Sequence, residues 1–372
     1  MEGADILDYD RLLAPISGEH PVGTDPRQDL SVNSLYLKIK DARSEARRLE
    51  RAIDTDGDGP SADPFWGIVL QSGCEILTTQ GKDLEVGAWI VEALVRLHGF
   101  DGLLAGLRLC HSLVELYWDI IHPLPDEDGF ESRLSPYLGL NGQSEDSPLI
   151  QCLRNLPITG GAGGYSQWQY LKAVEIAGIS DAGQRNERVA AGNITLEEFN
   201  LSVSQTPPTF FAELVEKLGS LTVALDQLYN IFYEHVGVDA PPVSGIVNAL
   251  QQILEAVRLF AKDKLAFAAA KAEQALHEEQ LADKGDGTTP EAVMSNNLVT
   301  DRESALRQLQ KIALFFRQNE PHSPISYTIE ELIKRAHMSL PELMNELIVD
   351  EDARRYFFLS TGMGTPKAND QE

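Results

Sequence analysis

The clearest pattern in the chain is an apolar stripe with the 3.6-residue period of an α-helix. Between residues 86 and 97 the stripe comprises Val86, Trp89, Ile90, Ala93, Leu94 and Leu97. A second stripe runs from residue 103 to residue 121, and Gly99 separates the two. Because aspartate is a common N-cap and glycine a common helix stop, we expect Asp83 to begin the first helix and Gly99 to end it. The pattern predicts two antiparallel helices joined by a short turn.

Similar helical patterns cover most of the remaining chain. They predict helices over residues 35–53, 65–77, 210–233, 247–282, 306–316 and 329–336, with a last one from residue 339. Thr195 and Glu198 have the spacing of a capping box, which predicts a helix that begins there. No alternating run of Val, Ile and Thr bounded by turns stands out, so few strands are expected. The sequence therefore predicts an all-α fold.

Two segments rich in glycine and polar residues divide the chain, at residues 157–167 and 284–297. Segments of this composition are typical of flexible linkers. A chain of 372 residues also exceeds the usual size of a single domain. We therefore predict multi-domain helical bundles joined by flexible linkers, with domains at residues 1–156, 168–283 and 298–372. Pro15 and Pro21 predict an extended opening to the first domain.

Charge narrows the class of partner. The 57 acidic and 31 basic residues give a net charge of −26, which argues against binding to nucleic acid or anionic lipid. The charge suits a protein that meets basic patches on protein partners. No apolar run approaches the roughly 20 residues of a membrane-spanning helix, and the N-terminus lacks a secretory pattern. Direct membrane insertion is therefore not expected, whereas a cytoplasmic location with reduced cysteines is.

One loop has part of a metal-binding pattern. Asp54, Asp56, Asp58 and Gly59 match positions 1, 3, 5 and 6 of an EF-hand calcium loop. Position 12, which should supply a bidentate glutamate, is Phe65. A solvated acidic loop is the simpler interpretation, and a calcium-responsive helical binding module is kept as an alternative.

The search for catalytic chemistry finds no motif. The glycine cluster at residues 160–164 lacks the Lys-Ser/Thr of a phosphate loop, and neither HExxH nor GxSxG occurs. His111 and Glu115 share a helix face, but such pairs are commonest as surface or core pairs. We predict no catalytic residue and no cofactor, and a hydrolase with a dispersed site is a third hypothesis.

Three blocks of the sequence are similar to one protein family. Residues 12–25, LLAPISGEHPVGTD, and residues 83–129 resemble the ImpA N-terminal domain of TssA proteins from bacterial type VI secretion systems. Within the second block, the matching positions are Trp89, Leu94, His98-Gly99, Tyr117-Trp118 and His122-Pro123. Residues 301–348 resemble the C-terminal region of the shorter TssA class, with its Glu-Pro-x-Ser-Pro break at residues 320–324.

The resemblance implies a non-enzymatic structural subunit of a contractile machine. Such subunits assemble as homo-oligomeric rings through their C-terminal regions and contact baseplate, tube and sheath proteins. The shorter class looks baseplate-like, which implies a cytoplasmic protein docked at the inner-membrane-associated secretion apparatus. A cap at the far end of the sheath is the alternative role within the same machine.

A closed ring needs a complementary surface on every subunit. The capped helices after residue 300 carry apolar stripes that suit this role. We therefore hypothesise a self-association surface formed by Leu306, Leu309, Ile312, Phe316, Leu343 and Leu347.

Overall fold

The computed structural model describes residues 6–56, 60–127, 129–141, 147–161, 163–282 and 325–338, with a few separate positions between 302 and 354. The chain divides into two units, residues 1–285 and 286–372. Helices dominate the described residues, which contain isolated bridges but no strand, so the all-α prediction is confirmed. Among these helices, none is long and apolar enough to cross a membrane.

The first unit contains twelve of the described α-helices. They are α1 (Tyr9–Leu13), α2 (Leu35–Asp56), α3 (Asp63–Thr79), α4 (Leu84–Tyr117), α5 (Glu131–Asn141), α6 (Pro148–Asn155), α7 (Gln167–Ala177), α8 (Ala182–Ala190), α9 (Leu196–Gln205), α10 (Pro208–Val236), α11 (Ser244–Phe260) and α12 (Lys262–Ala282). The second unit contains α13 (Ile325–His337). The capping box of Thr195 and Glu198 begins α9 as predicted.

Helix α4 is a hairpin of two antiparallel arms, residues 84–98 and 100–117. Gly99 separates the arms with a φ of 59° and a ψ of −136°, a backbone conformation that residues other than glycine rarely adopt. The arms then pack closely, since a Cβ placed on Gly106 would lie 3.1 Å from the Cα of Val91. Asp83 caps the first arm by accepting from the Val86 amide. The predicted antiparallel pair is therefore present, with the predicted N-cap and turn.

The hairpin forms the centre of the hydrophobic core of the first unit. Leu94, Leu103, Leu113 and Val114 are fully buried, and apolar residues occur on every side of both arms. Helices α3, α5 and α10 pack against α4, while α2 packs against α3. Because α10 contacts α4, residues on both sides of the predicted division at 157–167 share one core.

Residues 157–161 and 163–167 differ from the expected flexible linker. Ile158 is fully buried, and its amide donates to the Tyr165 carbonyl at 2.8 Å. The Gly160 amide donates to Oγ1 of Thr206 at 2.9 Å. Backbone groups that are hydrogen-bonded in this way hold the segment against α9 and α10, so glycine serves close packing here. The second predicted linker, residues 284–297, lies outside the described residues.

Polar side chains tie α2 to the first arm of α4. Glu92 is 1% exposed and forms ion pairs with Arg43 and Arg47. Burial opposes the ionised form of Glu92, but the two arginines outweigh burial and lower the pKa of the carboxyl. Arg96 makes a similar pair with Glu50, at 3.0 Å between Nη2 and Oε2. The ion pairs face inward and align the two helices.

Two glycine-to-alanine changes should shift stability in opposite directions. Gly106→Ala should lower the free energy of unfolding by about 1–3 kcal/mol, because the methyl group would overlap Val91 of the opposing arm. Gly219→Ala on α10 should raise it by about 0.5–1 kcal/mol, since no described atom lies within 4 Å of the added Cβ. Guanidinium denaturation measures both. Equal stabilisation by the two changes would contradict the close packing of the arms.

Candidate functional site

Three distant segments meet beside the first turn of α4. The amide of Lys82 donates to the Val22 carbonyl at 2.8 Å, and the amide of Leu84 donates to the His122 carbonyl at 2.9 Å. The amide of His122 returns a bond to the Lys82 carbonyl at 3.1 Å. The extended N-terminal segment and the His-Pro segment after α4 are therefore held on either side of residues 80–85.

A glycine pair allows the N-terminal segment to cross this closely. Gly23 has a φ of +70°, and a Cβ there would lie 2.1 Å from the Gln80 carbonyl oxygen. A Cβ on Gly81 would lie 2.1 Å from the Thr24 carbonyl oxygen. A side chain at either position would collide with the backbone of the other segment, so glycine is needed on both crossing segments.

Arg27 collects three carboxylates around the buried end of α4. Its guanidinium lies 2.6 Å from Asp83, 2.8 Å from Asp25 and 3.3 Å from Glu85. Asp83 is fully buried and also accepts from the Val86 amide at 2.9 Å. The same carboxylate therefore caps the helix and anchors the N-terminal segment.

Burial determines the protonation of this cluster. Removal from water raises the pKa of Asp83 to about 7, although Arg27 and the Val86 amide favour the charged form. Burial also opposes the charge of Arg27, but Asp83 and Asp25 outweigh it and raise the pKa of the guanidinium. Arg27 stays charged while Asp83 exchanges its proton near neutral pH.

Two further buried cations stabilise the chain around the site. Lys82 is 0% exposed and donates from Nζ to the Leu12 and Leu77 carbonyls, both at 2.6 Å, and burial lowers its pKa to about 8. Arg133 is 1% exposed and donates to the Trp118, Ile121 and Pro123 carbonyls at 2.7–2.8 Å. Arg133 thereby satisfies carbonyls at the end of α4 and supports the His-Pro segment.

The converging segments leave a cavity of about 600 Å³, called here the His122 cavity. His122 is 8% exposed, and its Nε2 meets no hydrogen-bond partner among the described residues. Tyr36 donates to Glu85 at 2.8 Å on one wall. The cavity is lined by Asp25, Arg27, Gln28, Tyr36, Glu85, His122, Pro123, Leu124, Asp126 and Ser132.

The structure leaves the predicted calcium loop open as a hypothesis. The backbone of Asp54 and Asp56 belongs to the last turn of α2, while their side chains and all of Asp58 lie outside the described residues. Within the described part of the chain, no group of three or more His, Cys, Asp or Glu side chains is placed to hold a metal ion. The calcium-responsive module therefore stays an alternative hypothesis beside the solvated acidic loop.

The proposed self-association residues are described only in part. Leu306, Leu309 and Leu343 are half-buried within the second unit, whereas Ile312, Phe316 and Leu347 lie outside the described residues. In the same unit Ile333 on α13 is buried. The assignment of this surface to self-association remains a hypothesis.

Sequence patterns did not indicate the polar residues of the site. Arg27 and Asp83 are 56 positions apart, and only the fold brings them together. No pattern in the sequence marks Lys82 or Arg133 as buried. The one usable signal was Asp83 as an N-cap, because a charged cap on an otherwise apolar helix must find a partner inside the fold.

Three comparisons with known proteins each find similarity to components of type VI secretion systems. Residues 13–142 match the family described as ImpA, N-terminal, type VI secretion system. The chain is 25% identical to the type VI secretion system component TssA1 of Pseudomonas aeruginosa over 365 residues, covering 93% of this chain and 96% of that protein.

A solved structure supports the same relationship. It is the N-terminal domain, including the conserved ImpA_N region, of the TssA component of the type VI secretion system from Burkholderia cenocepacia. The match has a TM-score of 0.58 and 26% identity and covers 71% of this chain and 98% of that one. The matched family region, residues 13–142, contains every residue that lines the His122 cavity.

The raised pKa of Asp83 should appear in the pH dependence of stability. Between about pH 4 and 7 the folded chain keeps a proton that the unfolded chain has lost, so stability falls as pH rises. The difference in unfolding free energy between wild type and Asp83→Asn should fall with a slope of up to about 1.4 kcal/mol per pH unit. Urea denaturation at pH 5.5, 6.5, 7.5 and 8.5 measures it. If the difference in unfolding free energy grew with pH instead, Arg27 would lower the pKa of Asp83 by more than burial raises it.

Loss of the Arg133 clamp should destabilise the first unit. Arg133→Met keeps an apolar stem but removes two buried hydrogen bonds and one part-buried hydrogen bond to carbonyls, so we expect a loss of about 2–4 kcal/mol. Arg188→Met, on the exposed α8, is the matched control and should leave the denaturation midpoint unchanged. Equal midpoints for the two variants would be inconsistent with a structural role for Arg133.

Proposed function

This chain belongs to the TssA family of type VI secretion components, and from that membership we propose that it is a non-enzymatic assembly subunit. In this proposal it forms a homo-oligomeric ring and associates with baseplate, tube and sheath proteins. The observation that carries the proposal is the similarity to TssA1, which extends over 93% of the chain and so includes the second unit. The protein would work in the cytoplasm, docked at the secretion apparatus.

The state of the titratable groups supports an assembly role. Burial raises the pKa of the thiols to about 11 at Cys74, about 12 at Cys110 and about 11 at Cys152, so little thiolate forms near neutral pH. Asp83, Glu92 and Arg133 are buried, but each is bonded to groups that hold helices together. These ionisable residues are used for structure.

The assignment of ring formation to the second unit is supported by its amphipathic helices. Leu306 and Leu309 are half-buried, Gln310 beside them is exposed, and Ala313 is buried. Helix α13 likewise has a buried Ile333 and an exposed Leu332. Helices that keep apolar side chains partly exposed provide the surface that identical subunits need for a closed contact.

The ring is tested by comparing the mass of the full chain with that of residues 1–285. Light scattering should give a multi-subunit mass for the full chain and a monomer mass for the shorter one. Leu309→Glu should also reduce the mass, because a charge would be buried at the contact, whereas Gln310→Glu should not. Circular dichroism controls for helix loss. An undiminished assembly of residues 1–285 would overturn the assignment to the second unit.

A further inference from the structure

The His122 cavity has the size of a ligand pocket and an excess of negative charge. Its volume of about 600 Å³ lies within the roughly 300–1,000 Å³ range of small-molecule pockets. The carboxylates of Asp25, Glu85 and Asp126 line it, and among the described lining residues Arg27 is the only arginine or lysine. A concave surface lined mainly by one sign of charge concentrates the opposite sign.

Arg27 leaves this excess in place. Its guanidinium is shared between Asp25, Glu85 and the fully buried Asp83, which stands behind the cavity wall. One positive charge therefore forms ion pairs with three carboxyl groups and cannot neutralise all of them. An added cation would compensate the remaining charge, whereas an anion would meet repulsion.

His122 gives a second and independent indication of a ligand. The residue is 8% exposed and lines the cavity, and within the described part of the chain its Nε2 has no hydrogen-bond partner. An unsatisfied buried polar atom carries an energetic penalty, which a hydrogen bond from a ligand would remove. In the neutral imidazole one ring nitrogen is an acceptor, so His122 can receive an N–H group alongside the carboxylates.

The apolar rim favours a protein over a free cation. Leu124 is 52% exposed at the cavity, beside Pro123, which also lines it. Exposed apolar residues around a charged pocket are typical of protein-binding surfaces, because a partner chain covers them as its anchor enters the pocket.

We propose that the His122 cavity receives a basic side chain, arginine or lysine, from a partner protein of the secretion apparatus. The partner identity in this inference rests on the proposed function. The ammonium or guanidinium group donates to Glu85, Asp126 and His122 Nε2, and the stem of the side chain lies against Leu124.

The experiment compares two probes that differ only in charge. The full chain, ¹⁵N-labelled at histidine, is titrated with N-acetyl-arginine methylamide and with the uncharged N-acetyl-citrulline methylamide. His122→Gln identifies the His122 imidazole signal in the spectrum. The arginine probe should shift that signal with saturation, and the citrulline probe should not. Equal responses to both probes would overturn the proposal.

Charge-removing variants test the site itself. Glu85→Gln and Asp126→Asn should each weaken binding of the arginine probe about fivefold, the effect expected for one partly exposed ion pair. Two variants are used so that a fold defect in one leaves the other informative. Glu187→Gln removes an exposed carboxylate of α8 outside the cavity and should bind as wild type. Unchanged affinity in both cavity variants would contradict the proposal.

Free cations form the last arm of the test. Spermidine and CaCl₂, titrated at the same concentrations, should shift the His122 signal less than the arginine probe does. An equal or larger shift would assign the cavity to free cations and overturn the protein-partner proposal. Loss of the ring would contradict the proposed function alone, whereas loss of probe selectivity would contradict the cavity assignment alone.

Discussion

The fold depends on burying a helical hairpin that is apolar on every side. Every helix leaves amides at its start and carbonyls at its end without partners in the helix. In an exposed helix these groups form hydrogen bonds with water. In α4 both ends lie next to each other inside the first unit, because the arms are antiparallel. Asp83 serves the amides of the first arm, and Arg133 serves the carbonyls at the end of the second. Charged residues are therefore required at one end of an apolar core.

This requirement explains why the segments similar to TssA proteins converge. Burial disfavours the charged form of Asp83, and Arg27, in a 3-10 helix at Pro26–Gln28, compensates the charge. Arg133 holds the His-Pro segment through its carbonyls and places His122 at the same end of the hairpin. The segments that cap and clamp the hairpin are the ones that enclose the His122 cavity. Stability of the core and shape of the cavity thus depend on the same residues.

The sequence predicts the helical elements well and their polar connections poorly. The period of the stripes, Asp83, Gly99 and the Thr195–Glu198 pair are local signals, and local signals determine helices. Contacts between residues far apart in sequence have no local pattern that indicates them. The ion pair of Arg27 with Asp83 and the packing of Gly160 against Thr206 are of this kind. For the same reason the glycine-rich segment 157–167 is predicted to be a linker, although glycine also allows backbone to pack closely.

The inward use of arginine bears on how the protein meets its partners. Arg27, Arg43, Arg47, Arg96 and Arg133 all bond to carboxylates or carbonyls within the first unit. Arg27, Arg43, Arg47 and Arg96 are matched by carboxylates within the same unit, so the net charge of −26 is carried mainly by the other side chains. In the proposed role, this negative charge would attract basic partners at long range, and the His122 cavity would select among them at short range. Long-range attraction would then govern the rate of encounter, and the fit of the proposed basic side chain would govern the lifetime of the complex.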